Sequence, residues 1–250
     1  MTEVRLNEYE RIDQLYANDI KIIQSSKVFS FSLDAVLLAN FANPTLKEKG
    51  TVVDFCAGNG AVGLFLSAKT KAKIIEVEIQ EKLADMAKRS VLLNDLADQM
   101  EVLAMDLNDI LNVLRKDSID TITCNPPYFS DLPASKKNPN PYLALARHEV
   151  TVTLEQVIKM TSALLKTKGK TYFVHRPERL LEITEIMQQN RLAPKKIQLV
   201  YPKEGKEANM VLIEAIKDGK KGGVRFLPPI TVYEKDDEYT PEVRKILYGK

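Results

Sequence analysis

The stretch Thr123-Cys124-Asn125-Pro126-Pro127-Tyr128-Phe129 holds the residues best suited to chemistry. It follows the apolar run Ile119 to Ile122, so it stands at the end of an expected buried strand. Two successive prolines lack backbone N–H groups and cannot continue a sheet. The chain leaves the sheet there in an extended shape. That shape offers an amide side chain (Asn125), a carbonyl with no competing N–H (Pro126) and an aromatic face (Tyr128) to one point. Two acceptors beside a flat ring suit a planar amino group on a base or an amide.

A second constellation lies upstream. Val52-Val53-Asp54-Phe55-Cys56-Ala57-Gly58-Asn59-Gly60-Ala61-Val62-Gly63 reads as strand, glycine turn and helix start. The spacing Gly58-x-Gly60-x-x-Gly63 formally meets the dinucleotide fingerprint, a weak signal alone. Asp54, four residues before the first glycine, disfavours a pyrophosphate and favours a ligand with an ammonium or sulfonium charge. No later residues form a hydride-transfer apparatus. The next strand ends in Glu78-Ile79-Gln80, and an acid ~20 residues past the glycines is placed to bind ribose hydroxyls. Glu76 is an awkward charge for a buried strand and competes for that role. The third strand ends in Met105-Asp106-Leu107, where Asp106 can accept from an exocyclic amine. Any one of these acids is equally explained as a turn former or cap. Four polar residues in order at strand ends, with a glycine turn, point to a ligand crevice.

The elements that must position them follow from periodicity. Strands are expected over 51–56, 73–79, 100–105, 119–124 and 170–175, as short apolar runs covered on both faces. Amphipathic helices are expected over 80–93, 153–166 and 177–190, the last with Pro177 in its first turn. The alternation predicts an α/β doubly wound, mostly parallel sheet. Runs 196–201 and 209–216 have no helix between them and predict an antiparallel hairpin at the sheet edge, seven strands in all. Upstream, 9–24 reads as a hairpin with an Asn18-Asp19 turn, and Ser32 as the N-cap of a helix over 33–42. Residues 217–250 read as a loosely packed tail.

Composition sets the frame. The chain has 250 residues, 44% hydrophobic and 28% charged. A globular protein with at most a small appendage is expected from such values. There is no apolar run of membrane-spanning length. The start MTEVRLNEYERIDQ is too charged for a secretion signal, so a cytoplasmic location is expected. Cys56 and Cys124 lack metal-ligand spacing, and His148 and His175 lie far from them, so no structural metal is expected. The net charge of +2 hides a basic excess over 166–225. It suits a polyanionic partner, and equally the solvation of loops and helix faces.

Taken together, Asp54 to Gly60, Glu78, Asp106 and Asn125-Pro126-Pro127-Tyr128 resemble the motifs of class I S-adenosylmethionine-dependent methyltransferases. The tetrapeptide resembles that of the amino-methylating branch, which acts on adenine N6 or glutamine N5. Phe29–Ala39, Arg147-His148-Glu149, His175–Leu180 and Pro228–Tyr233 resemble the bacterial tRNA1(Val) adenine-37 N6-methyltransferase family over nearly the whole chain. Glu76 departs from its pattern, where a small residue is expected.

The resemblance implies a Rossmann-like class I methyltransferase domain over 46–218, an N-terminal hairpin and helix extension over 1–45 and a C-terminal tail over 219–250. It implies S-adenosyl-L-methionine as cofactor and tRNA as partner. The cofactor wall would be Phe31, Asp34, Asp54, Gly58, Asn59, Gly60, Glu78, Ile79, Asp106, Leu107 and Asn125. The catalytic set would be Asn125, Pro126, Pro127 and Tyr128. Tyr128, Phe129, Arg147, His148, Arg176 and Arg179 would face the substrate, with the loop 131–141 closing over it. His148 would accept a proton or order that loop. The competing readings are a protein glutamine N5-methyltransferase, which would favour a helical N-terminal domain, and a non-catalytic RNA-binding module, which would show a damaged glycine loop or tetrapeptide.

Overall fold

The computed structural model describes residues 4–15, 19–28, 32–128 and 152–249. The chain opens with the hairpin β1 (Glu10–Leu15) and β2 (Ile20–Ser25), followed by α1 (Leu33–Phe41). Then come β3 (Thr51–Phe55), α2 (Ala61–Ser67), β4 (Lys73–Glu78), α3 (Glu81–Leu93) and β5 (Met100–Ala104). A 3-10 turn (Leu107–Asn112) leads to β6 (Ile119–Cys124), α4 (Leu154–Leu164) and β7 (Leu165–His175). A second such turn (Pro177–Arg179) precedes α5 (Leu180–Gln189), β8 (Leu192–Lys203) and β9 (Met210–Lys217). The C-terminal segment adds β10 (Arg225–Phe226), β11 (Ile230–Tyr233) and α6 (Pro241–Tyr248).

Among the described residues the main sheet has nine strands in the order β10-β8-β9-β7-β6-β3-β4-β5, with β11 also paired to β8. β7, β6, β3, β4 and β5 run parallel, and β9 is antiparallel to both its neighbours. The expected α/β fold with an antiparallel hairpin is therefore present. Alternation along each strand feeds two cores. Val52 and Ile74 pack under α1, α2 and α3 with Leu37, Leu38 and Leu64. Their neighbours Val53 and Ile75 pack under α4 and α5 with Val157, Ile158 and Ile183.

Three local expectations need correction. Among the described residues the main sheet has nine strands, not seven, because the tail is not loose: β10 and β11 pair in parallel with β8, and Ile230, Val232 and Val243 are buried against the α1 side of the core. Ser32 stands at the N-cap position of α1 but makes no capping bond; its hydroxyl donates to Asp34 Oδ1 instead. Glu76 points into the core at 0% exposure and cannot compete with Glu78. The N-terminal strands pair as expected, with Asp19 in the left-handed region at φ 53°, while Asn18 lies outside the described residues.

The far end of α1 is tethered by Lys69, whose Nζ donates to the carbonyls of Ala39 (2.8 Å), Asn40 (2.9 Å) and Ala42 (2.6 Å). A cation at a helix C-terminus satisfies orphan carbonyls and the helix dipole together. Phe41 packs edge-on against Tyr172, whose hydroxyl donates to the Asn43 carbonyl at 2.9 Å. These ties fix α1, and its first turn forms part of the site described next.

Candidate active site

Strand order reverses between β3 and β6: β4 and β5 continue on one side of β3, β7 on the other side of β6. At such a switch point the loops leaving the two strands diverge and open a crevice at their carboxyl ends. A cavity of about 430 Å³ lies there. Its wall includes Asp34, Gly58, Asn59, Glu78, Ile79 and Asp106, and Asn125 to Tyr128 close another side.

The glycine turn is held from two directions. Gly58 and Gly60 adopt φ of 59° and 86°. A side chain at either would strain the backbone. Cys56 takes the same region at φ 54° without being glycine. That local strain tightens the strand exit. The Gly58 N–H donates to Glu78 Oε2 and the Gln80 N–H to Oε1, both at 2.8 Å. One carboxylate thus ties the first loop to the second. Asn59 Nδ2 donates to the Ile23 carbonyl at 3.0 Å, which ties the turn to the N-terminal hairpin. Burial raises the Glu78 carboxyl, against the lowering effect of the N–H groups of Gln80, Gly58 and Ile79.

Asp54 sits behind this wall rather than on it, at 1% exposure. Its Oδ1 accepts from the Thr123 hydroxyl at 2.6 Å, and Oδ2 has no partner among the described residues. Burial pushes its carboxyl up to about 7, with the Thr123 bond opposing and the Glu78 charge adding to the rise. Asp106 does two things at once. Its Oδ1 caps the 3-10 turn by accepting from Asn108 N at 2.8 Å, and the residue still lines the cavity beside Met105 and Leu107.

The tetrapeptide forms a network centred on Tyr128. The Tyr128 hydroxyl lies 2.6 Å from Asp34 Oδ2 and 2.7 Å from Asn125 Oδ1, placed to donate to either. It has one proton, so the two acceptors share it. Burial, then Asp34, pushes the phenol well above its usual range, so it stays protonated. The Tyr128 ring lies 5.1 Å from His175 at a 56° tilt, and the Arg176 guanidinium stands 5.4 Å from its centre. The Arg176 N–H donates to His175 Nδ1 at 2.8 Å. An accepting Nδ1 assigns the imidazole proton to Nε2. Burial and the Arg179 charge lower His175 to about 3, so it is neutral. Arg176 Nη1 donates to the Asn209 carbonyl at 2.9 Å and holds the guanidinium at the cavity edge.

Of the sequence-derived set, Asp34, Gly58, Asn59, Glu78, Ile79, Asp106, Leu107, Asn125, Pro126, Pro127, Tyr128 and Arg176 line one cavity. Asp54 and Gly60 lie just behind it. Arg179 reaches its rim through the Tyr128 carbonyl at 3.4 Å and pairs with Glu182. Phe31, Phe129, Arg147 and His148 lie outside the described residues. Leu83, Met105 and Val152 also line the cavity and were not anticipated. As apolar residues in apolar runs they carry no signal that separates a cavity wall from a core. Cys56, read as a strand end, lines it too, and only its positive φ singles it out.

The wall chemistry suits a cationic, adenosine-bearing ligand. Carboxylates of Asp34, Glu78 and Asp106 face the cavity, Arg176 at its edge is the one cation among the described lining residues, and Ile79, Met105 and Leu107 give an apolar slot. A pyrophosphate would meet those carboxylates instead of a helix N-terminus free to receive it. Fold, switch-point cavity and anionic wall together define a Rossmann-like methyltransferase, and S-adenosyl-L-methionine is its cofactor.

The chain belongs to the methyltransferase small domain family, which matches residues 19–193. It is 28% identical over 214 residues to the tRNA1(Val) (adenine(37)-N6)-methyltransferase of Bacteroides fragilis, covering 85% of this chain and 88% of that protein. A crystal structure of a predicted O-methyltransferase from Agrobacterium tumefaciens superposes with a TM-score of 0.68 at 26% identity, over 87% of this chain and 96% of that one. The geranyl diphosphate C-methyltransferase of Streptomyces coelicolor, crystallised with S-adenosyl-L-homocysteine, shares the fold at 15% identity and a TM-score of 0.56, over 73% of this chain and 76% of that one.

Proposed function

We propose that the protein transfers a methyl group to the exocyclic N6 of an adenine in tRNA, adenine 37 of tRNA1(Val) or a similar RNA adenine. The observation that carries this reading is the placement of Asn125 Oδ1 and the Tyr128 ring together on the cofactor cavity, at the end of β6. The relative from Bacteroides fragilis supports the choice of substrate by its name and its coverage of most of the chain. A tRNA substrate also implies a cytoplasmic enzyme.

The cofactor, when bound, supplies an electrophilic methyl on a sulfonium. Glu78 would hold the ribose hydroxyls, since each of its oxygens keeps a lone pair beyond the bond it already accepts. Asp106 would accept from the adenine amine of the cofactor, with Ile79 and Leu107 against its ring. Asp34 would receive the ammonium at the methionine end. Gly58 and Asn59 would line the backbone side of the same group.

A loop base splayed from its stack would enter against Tyr128. Its N6 lone pair is delocalised into the ring and is a poor nucleophile. Asn125 Oδ1 and the Pro126 carbonyl would accept the two N–H bonds and draw the nitrogen towards tetrahedral geometry. Asn125 Oδ1 is within bonding distance of the Tyr128 hydroxyl in this structure. That oxygen keeps a second lone pair for the substrate amine, and Tyr128 has Asp34 as a further acceptor. Catalysis is alignment and electrostatics. The N6 proton is acidic once the nitrogen is cationic and leaves to water. Pro127 stiffens the turn, and Phe129, Arg147, His148, Arg176 and Arg179 would face RNA.

The test is transfer of label from S-adenosylmethionine to separate pools of tRNA, ribosomal RNA, DNA and protein. Label in tRNA, recovered as N6-methyladenosine after digestion, is expected. Label in protein alone would overturn the reading in favour of glutamine methylation. Asn125→Ala should lower the transfer rate by about 10²–10³-fold, the scale of losing one preorganised polar group. Cofactor affinity should stay nearly unchanged in a calorimetric titration.

A further inference from the structure

Glu76 lies on β4 two residues before the rim and is completely buried. Neither of its carboxyl oxygens has a hydrogen-bond partner among the described residues. A bare buried carboxylate is costly, and proteins avoid it by pairing or by protonation. Two neighbours make this position consequential. Towards the helices it meets the glycine turn: a methyl group added at Gly63 would collide with Oε1, and one added at Gly60 would stand 2.7 Å from Oε2. The carboxyl group fills the space those two glycines leave. Towards β3 it meets Asp54, its register partner. Register partners in a parallel pair project from the same face. Asp54 Oδ1 is taken by Thr123, while Asp54 Oδ2 is buried and has no partner among the described residues.

Two carboxyl groups thus share one face with three buried oxygens that lack a donor among the described residues, and one proton shared between Glu76 and Asp54 Oδ2 satisfies two of them, leaving the Glu76 carbonyl oxygen against the glycine turn. The Thr123 hydroxyl stabilises the ionised form of Asp54, and Glu76 has no such donor, so the proton belongs on Glu76. The charged groups acting on Glu76 are Asp54 and Glu78, both anionic, and they add to burial in raising its carboxyl. We infer that Glu76 is a neutral carboxylic acid that donates a hydrogen bond to Asp54 Oδ2, and that this wedged pair is a positioning device setting the glycine turn over the cofactor cavity. Above about pH 7 the pair carries one negative charge, held by Asp54 behind the turn. Glu76 touches no ligand; it acts through Gly60, Gly63 and Asp54. This assignment is independent of which substrate is methylated.

The experiment uses the full-length protein with S-adenosylhomocysteine and S-adenosylmethionine as probes. Infrared spectra at about pH 8.5, above the Asp54 value of about 7, should show the carbonyl stretch of a buried protonated acid, and Glu76→Gln should lose it. The same band should shift when the glutamates of the wild type are labelled with carbon-13, a reading that needs no variant. Calorimetry should find Glu76→Gln within about threefold of wild type in affinity for both probes, since an amide donor replaces an acid donor. Gly63→Ala should weaken both by at least about tenfold, as overpacking of a filled site does. Adding Glu76→Ala to Gly63→Ala should restore most of that loss. The inference is overturned if no protonated band is present. It is equally overturned if Glu76→Gln weakens binding more than about tenfold, or if Glu76→Ala leaves Gly63→Ala uncorrected.

Discussion

Tyr128 is both a ring and a hydroxyl, and the two roles separate by substitution. Tyr128→Phe keeps the ring beside His175 and Arg176 and removes the bonds to Asp34 and Asn125. It should leave RNA affinity near wild type and lower kcat. Tyr128→Ala should cost ~1–3 kcal/mol of RNA binding, the range for one base stacked on an aromatic ring. Filter binding and steady-state rates distinguish them; equal losses of RNA affinity in both variants would refute a stacking role. His175 contributes through its neutrality. Its folded value of about 3 lies below the ordinary 6.5. Below about 6.5 the unfolded chain binds a proton that the native state does not. The contribution of His175 to stability is therefore intact at neutral pH and is lost as pH falls from about 6.5 towards 3. His175→Asn keeps an acceptor for the Arg176 N–H and removes the titration. Its urea midpoint should fall less between pH 7 and pH 4 than that of the wild type; parallel curves would sink the assignment.

At the scale of elements, the C-terminal segment and α1 depend on each other. Ile230, Val232 and Val243 join the same core as Leu37 and Leu38 of α1, and α6 packs against α1. The first turn of α1 carries Asp34, the acceptor for Tyr128. Ending the chain after Gly223 removes β10, β11 and α6. A lower melting temperature and weaker binding of S-adenosylhomocysteine are expected, readable by thermal scans with and without that molecule. An unchanged melt would show the segment to be dispensable. These strands escaped sequence reading because β10 has two residues and β11 follows Pro228-Pro229, so neither offers a periodic run. The β8–β9 hairpin was legible because two long apolar runs flank a short polar loop. Ser32 was read as a cap by residue type, yet Asp34 two residues on competes for its hydroxyl. Asp34 is in turn bonded by Tyr128, 94 residues away, a pairing that local sequence does not state.

At the scale of the molecule, topology divides the basic segment. β7 and β8 carry their starts, with Lys168, Lys170 and the nearby Lys220 and Lys221, to the amino edge of the sheet. Arg176, Arg179, Lys203 and Lys206 lie at the carboxyl edge with the cavity. A single run of positive charge in sequence therefore becomes two separated groups. If tRNA approaches the cavity, only the second group meets phosphate. Arg176→Gln and Lys206→Gln should each reduce the slope of log affinity against log salt by about 0.7–0.9. Lys168→Glu and Lys221→Glu should leave it unchanged. A lower slope for the amino-edge pair would place the RNA elsewhere.

The sequence by itself determined the alternation of strands and helices, the glycine turn, the order of the acids and the tetrapeptide at a strand end. Each of these is local: periodicity, proline and glycine chemistry and short spacing act within a few residues. Tertiary structure decided which of those residues share a wall. Asp34 comes from a helix 94 residues before Tyr128 and meets its hydroxyl across the cavity. Asp54 withdraws behind the turn, and Glu76, an awkward charge in one dimension, fits beneath two glycines in three. Strand order and parallel register bring such groups together, and those depend on packing between elements far apart in the chain.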